Sequence, residues 1–201
     1  MDQTYSQPAG SGGGVALRLF AALALPPPVA RELAEHAVSL VGCLPDAEAG
    51  EAHHMHLTFA YLGDVPEELL SIVAGALDEV ARDIPGPVHC VTRALGLFGS
   101  GRVLGADINI DLLTSLGSAR DRLLMQMRPY APQLDDRPWR PHISLARARH
   151  ETIALHGTMV LPSTMSWVSS ALELHASLPA PGGRLHRQLH AVPLGTTLAS
   201  R

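Results

Sequence analysis

Two short stretches of this chain carry side chains that could do chemistry: His56-Leu57-Thr58-Phe59 and His142-Ile143-Ser144-Leu145. Each is a histidine, an apolar residue, a hydroxyl residue and another apolar residue. Side chains alternate between the faces of a strand, so His56 and Thr58 share one face and Leu57 and Phe59 the other. His142 and Ser144 repeat the arrangement, with Ile143 and Leu145 behind them. Each strand would then offer an imidazole and a hydroxyl to a cleft while its apolar residues hold it in a core. Imidazole, with an ordinary pKa of ~6.5, can give or take a proton near neutral pH. Two such strands facing each other would make a symmetric site with one proton carrier on each wall, the arrangement general acid–base catalysis needs.

Neighbouring residues raise the same question. The chain has eleven histidines, and a lone strand histidine is ordinarily structural; the pairing of the motifs favours function for His56 and His142. His54 and His56 would share a face, and imidazole is a good zinc ligand, but no third and fourth ligand follow at familiar spacing. No metal and no cofactor are therefore expected. Arg18 interrupts an apolar run, so it either snorkels at an edge or reaches the cleft. Tyr61 and Phe20 could stack on a nucleobase, with core packing as the competing role. An odd offset from His56 puts Tyr61 on the opposite face unless a bulge intervenes.

As for the elements that must position these residues, 201 residues suffice for one sizeable domain or two small lobes. Aromatic residues are only 4% of the chain, so Leu, Val and Ala must build the core. A formal net charge of −4 argues against a broad, non-specific nucleic-acid binder but leaves room for a site that grips one phosphate. Cys43 and Cys90 are too few for a disulfide framework. With no signal-peptide layout and no apolar run of membrane-spanning length, a cytoplasmic protein with no membrane association is expected.

Residues 1–14 are polar and glycine-rich and read as a flexible tail, 15–195 as one bilobal domain, and 196–201 as a short C-terminal tail. An apolar strand over 15–25 ends at three prolines, which can start a helix bearing Val29, Leu33, Ala37, Leu40 and Val41. A loop over 42–52 leads to the His56 strand, which ends at Gly63-Asp64. Asp64 would cap a helix over 66–82. Strands over 88–98 and 102–110 flank a Gly-Ser-Gly turn, and a helix over 112–127 follows. Beyond the His142 strand, 165–177 and 185–194 read as further strands. The class is α+β, with each lobe centred on one histidine strand.

With both motifs in hand, the chain resembles the two-histidine phosphoesterases, and in particular the bacterial RNA 2′,3′-cyclic phosphodiesterases of the 2′-5′ RNA ligase family. Matching stretches are Arg18 to Ala22, His56 to Gly63, Phe98-Gly99 with Arg102 to Leu104, and Arg137 to Leu145, in family order. The resemblance implies two pseudo-symmetric lobes of antiparallel sheet with helices on the outer faces and both motifs lining a central cleft. It also implies metal-independent opening of a 2′,3′-cyclic phosphate to a 2′-phosphomonoester, on RNA ends or nucleotides, with no obligate protein partner. In that scheme His56 is the general acid toward O3′ and His142 the general base toward water. Thr58 and Ser144 bond the phosphate oxygens, and Arg137 could add a charged fork to them. The chain departs from the family at His186, where a tyrosine is usual.

Overall fold

The computed structural model describes residues 15–135, 137–154, 160–161, 163–181 and 183–195; the expected tails at 1–14 and 196–201 lie outside the described residues. The elements in chain order are β1 (Ala16–Leu23), α1 (Pro27–Val41), β2 (Ala47–Ala49), β3 (Leu57–Pro66), α2 (Leu70–Arg82), β4 (Val88–Phe98), β5 (Val103–Ile110), α3 (Leu113–Met127), β6 (His142–Ala148), β7 (Ser166–Ser169), β8 (Ala171–Ala180) and β9 (Gly183–Pro193). The strands among the described residues form one antiparallel sheet, ordered β7-β4-β5-β6-β3-β1-β8-β9, with β2 added beside β6. The fold is α+β, as the sequence implied.

The two halves of that order are quasi-equivalent, β9-β8-β1-β3 on one side and β7-β4-β5-β6 on the other. Among the described residues their ladders meet through a single pair, Leu57 opposite Ile143. The histidine strands therefore lie side by side at the inner edge of each half rather than at its centre, which corrects the expected lobe layout.

The helices bury their apolar stripes against the sheet. α1 starts at Pro27 and buries Ala30, Leu33, Ala37 and Leu40, α2 buries Val73, Ala76, Leu77, Val80 and Ala81, and α3 buries Leu116, Ala119, Leu123, Leu124 and Met127. These join Leu57, Phe59, Ile143 and Leu145 in one apolar cluster, so the apolar halves of both motifs do anchor their strands. Several boundaries differ from the sequence reading. β3 runs past Gly63 to Pro66, and Asp64 caps no helix because its carboxylate is taken by Arg18, 3.2 Å away. A 3-10 turn, Glu67–Leu69, precedes α2. β2 lies inside the expected loop, and the 165–177 stretch is two strands, β7 and β8.

Where the two histidine strands part, each exposes a backbone edge that must find partners elsewhere. On β3, the Thr58 carbonyl accepts from the Trp139 indole at 3.0 Å, the Phe59 carbonyl from Arg120 Nε at 3.1 Å, and the Tyr61 carbonyl from the Asp135 amide at 3.2 Å. On β6, the Leu145 carbonyl accepts from the Gly50 amide at 2.7 Å. A Cβ at Gly50 would lie 3.1 Å from that oxygen, which is why the approach favours glycine. Arg120 is the central clamp. It is 6% exposed and also donates through Nη2 to the carbonyls of Asp135 and Arg137 at 2.9 and 3.2 Å.

Removing this guanidinium strands carbonyls on two segments. Arg120→Ala is expected to cost on the order of 3–5 kcal/mol in urea-monitored unfolding; a cost under ~1 kcal/mol would show that water replaces the clamp.

Candidate active site

Leu57 and Ile143 face the core as cross-strand partners, so their neighbours His56, Thr58, His142 and Ser144 all project from the opposite face. The structure thus brings both motifs to one surface, with the two histidines flanking the one pairing that joins the halves.

The two imidazoles are held alike. His56 Nδ1 lies 2.8 Å from the His54 carbonyl, and His142 Nδ1 lies 2.7 Å from the Arg140 carbonyl. A carbonyl only accepts, so each Nδ1 carries the proton and each Nε2 is left for the cleft. Local chain geometry builds both contacts. A 3-10 turn, Ala52–His54, aims the first carbonyl, and Pro141 separates Arg140 from His142 in the second.

Each ring also rests on a phenylalanine. Phe20, on β1, is buried at 4.5 Å from the His56 ring centroid, and Phe98, on β4, stacks on His142 at 3.9 Å with planes 10° apart. Phe98 lies across two facing glycines, Gly96 and Gly105. A Cβ on Gly105 would meet its ring at 2.9 Å. The Arg140 guanidinium also lies over Phe98, 4.5 Å from its centroid, and reaches Asp107 at 3.6 Å. Phe20, for which the sequence offered stacking or core packing, is both buried and a wall of the site.

Bulges supply what strict alternation hides. Ala21 pairs with Ala60 and Ala22 with Thr58, so Phe59 is an extra residue on β3, and Phe20 then pairs with Tyr61. That bulge returns Tyr61 to the face of His56 and Thr58. On β6 the same event recurs: Gly105 pairs with Ser144 and Leu104 with Ala146, leaving Leu145 extra, and Val103 pairs with Arg147. Arg147 therefore joins His142 and Ser144 on the site face, at the position that corresponds to Tyr61. Its charge disfavours protonation of His56, His142 and His186.

The two arginines named from sequence are both committed. Arg18 shares the face of Phe20 but pairs with Asp64. Arg137 forks onto Asp135 at 2.8 and 2.6 Å and is 78% exposed; its carbonyl, through Arg120, is what connects it to β3. His53 pairs with Glu51 at 3.3 Å and His54 stands beside it at 3.9 Å between centroids.

Burial pushes the His56 imidazole down to about 4, against the opposing pull of the His54 carbonyl. His142 is lowered too, chiefly by desolvation, with its Arg140 carbonyl bond opposing. Both rings are neutral in the empty protein at pH ~7. Two further histidines contact Phe20: His175 stacks on it at 5.2 Å, and His186 meets it edge-on at 5.1 Å. His175 Nε2 contacts Glu173 at 2.9 Å.

A β-sheet opened between two quasi-equivalent halves, each presenting one histidine–hydroxyl strand on a common face, is the two-histidine phosphoesterase fold. Comparison with solved structures finds the same fold in other proteins. It is similar to TT0787 of Thermus thermophilus (TM-score 0.72, 25% identity, covering 90% of this chain and 100% of that one). It is also similar to E. coli LigT complexed with 3′-AMP (0.65, 24%, 90% and 100%). The MHV ns2 PDE domain matches at 0.52 and 16% identity, over 81% and 99% of the two chains. No protein-family model and no curated protein matches the sequence.

Gly105→Ala is expected to push Phe98 off its seat and tilt His142. Stability should fall by ~1–3 kcal/mol in thermal or urea unfolding, and an unchanged Tm with an unchanged His142 ring resonance would show that Phe98 is no platform for that ring.

Proposed function

We propose that this protein is a phosphodiesterase that opens terminal 2′,3′-cyclic phosphates on RNA or nucleotides to 2′-phosphomonoesters, without a metal. One observation carries the reading: two imidazoles on one face, each with Nδ1 fixed on a carbonyl and Nε2 left for the cleft. Supporting it, the solved structures it resembles include a phosphoesterase and a PDE domain, and E. coli LigT is complexed with 3′-AMP, ATP, NADP+ and phosphate in others.

In this scheme a cyclic phosphate sits between the rings. His142 Nε2 takes a proton from the attacking water as its oxygen bonds to phosphorus. His56, protonated at Nε2, gives that proton to O3′ as the P–O3′ bond breaks. The rings end with exchanged proton states, reset by solvent. The acid and base labels follow the family resemblance, because the site is nearly symmetric. Thr58 and Ser144 donate to the non-bridging oxygens, and Arg147 supplies the permanent positive charge that the sequence suggested for Arg137. Tyr61 and Phe20 line the nucleoside side. Transfer of each proton is worth on the order of 10²–10⁴ in rate.

Incubation with a 2′,3′-cyclic nucleotide in EDTA should yield the 2′-phosphate. His56→Ala and His142→Ala should each lower kcat by at least ~10²-fold while leaving the fold intact by circular dichroism. Formation of the 3′-phosphate, or near-normal rates in either variant, would contradict the scheme.

The lowered imidazoles also set a pH dependence. Activity needs one ring protonated and one neutral, and both pKa values lie below 6.5 in the free protein. kcat/KM should therefore peak on the acid side of that value and fall about tenfold per pH unit above the upper pKa. A profile still rising above pH ~7 would place the essential groups elsewhere.

A further inference from the structure

We infer that His186 is a third imidazole of the phosphate site, one that takes up a proton from solvent when a phosphate anion binds. The inference rests on the reading of this cleft as a phosphate site and adds to it a residue in which this chain departs from the family it resembles.

Geometry carries it. The His186 ring lies 5.0 Å from the His56 ring, 5.1 Å from Phe20 and 5.5 Å from His54, in each case nearly edge-on. Its Nδ1 is buried without a hydrogen-bond partner among the described residues. Such an atom is costly unless something arrives to bond it.

The charged and titratable groups around it are cations or potential cations: His54 on the 3-10 turn, His56 entering β3, His175 on β8, Arg184 on its own strand β9, and Arg147 on β6. Arg184 is engaged elsewhere, donating to the Ser177 hydroxyl and carbonyl. Glu51 is with His53, Asp64 with Arg18 and Glu173 with His175.

None of these described neighbours stabilises a positive His186 in the empty protein, and burial holds it at about 4. An oxyanion beside it reverses the balance, since an opposite charge within ~4–6 Å raises an imidazole by about 1–3 pH units. By linkage, the anion must then bind more tightly as pH falls through the raised value. Below pH ~6 a 2′-phosphomonoester and a cyclic diester each carry a single negative charge, so this proton serves either anion. His186 therefore favours retention of a bound phosphate anion at acid pH and its release at neutral pH.

The test is an NMR titration of the histidine Cε1–Hε1 resonances, assigned through the backbone, with and without saturating inorganic phosphate. The His186 midpoint should rise by at least about one pH unit when phosphate is present. In parallel, His186→Gln and His186→Tyr should lower phosphate affinity at least about fivefold at pH ~4 and less than about twofold at pH ~8. A merely structural role would weaken binding equally at both.

An unmoved midpoint, an affinity loss independent of pH, or no phosphate binding at all would overturn the inference. Turnover of cyclic nucleotides without the His186 shift would sink this inference alone. The shift without turnover would uphold it and discard the proposed enzyme.

Discussion

Leu57 opposite Ile143 is the only ladder pair between the two histidine strands among the described residues, and the geometry of the cleft follows from it. Because those partners point into the core, both histidine–hydroxyl pairs must point the other way. Because the ladder stops after one pair, the sheet opens into two walls. Such an opening leaves carbonyls on both strands without ladder partners, a cost that folded proteins rarely leave unmet. The chain meets it with Trp139, Arg120 and the Asp135 amide on one side and Gly50 on the other. Residues remote from the chemistry are thereby tied to it: the loop that delivers His142 is fastened to the strand that follows His56.

The same opening explains the bulges. Phe59 is an extra residue of β3, as Leu62 is further on, and Leu145 is the extra residue of β6; the Phe59 and Leu145 carbonyls are bonded from outside the ladder, by Arg120 and by Gly50. The bulges at Phe59 and Leu145 each turn the strand so that the residue after the following alanine comes back to the site face. On β3 that residue is Tyr61; on β6 it is Arg147. The two halves are thus alike in backbone and complementary in side chain, one wall aromatic and the other cationic.

Those bulges also divide what could be read beforehand from what could not. The motifs were legible because His56 to Thr58 and His142 to Ser144 keep strict alternation, and the helices because their apolar stripes face one core. Arg147 was not legible, since alternation places it on the wrong face and only the bulge at Leu145 restores it. Reading the second motif onward beside the first, where both have alanine after the second apolar residue, was the available signal. Arg137 lies close to the second motif, yet Asp135 claims its charge. Arg120, a polar position on an amphipathic helix, gave no hint that it would reach across to β3. Phe98 matched a family stretch without a role; its glycine seat depends on β4 and β5 pairing, which sequence spacing suggests but does not register.

Burial ties this architecture to chemistry. It lowers the proton affinity of His56, His142 and His186 together, with Arg147 adding to the effect. In the proposed scheme a phosphate anion supplies the missing negative charge and lets a ring hold the proton that the acid catalyst gives.

The proposed function requires both imidazoles to address a single phosphorus atom, and a crystal structure with a nucleoside 2′-monophosphate bound tests this most directly. Nε2 of His56 and Nε2 of His142 should each lie within hydrogen-bond reach, about 2.6–3.2 Å, of oxygens on the same phosphate. A phosphate that touches only one ring, or lies on another face of the sheet, would contradict it.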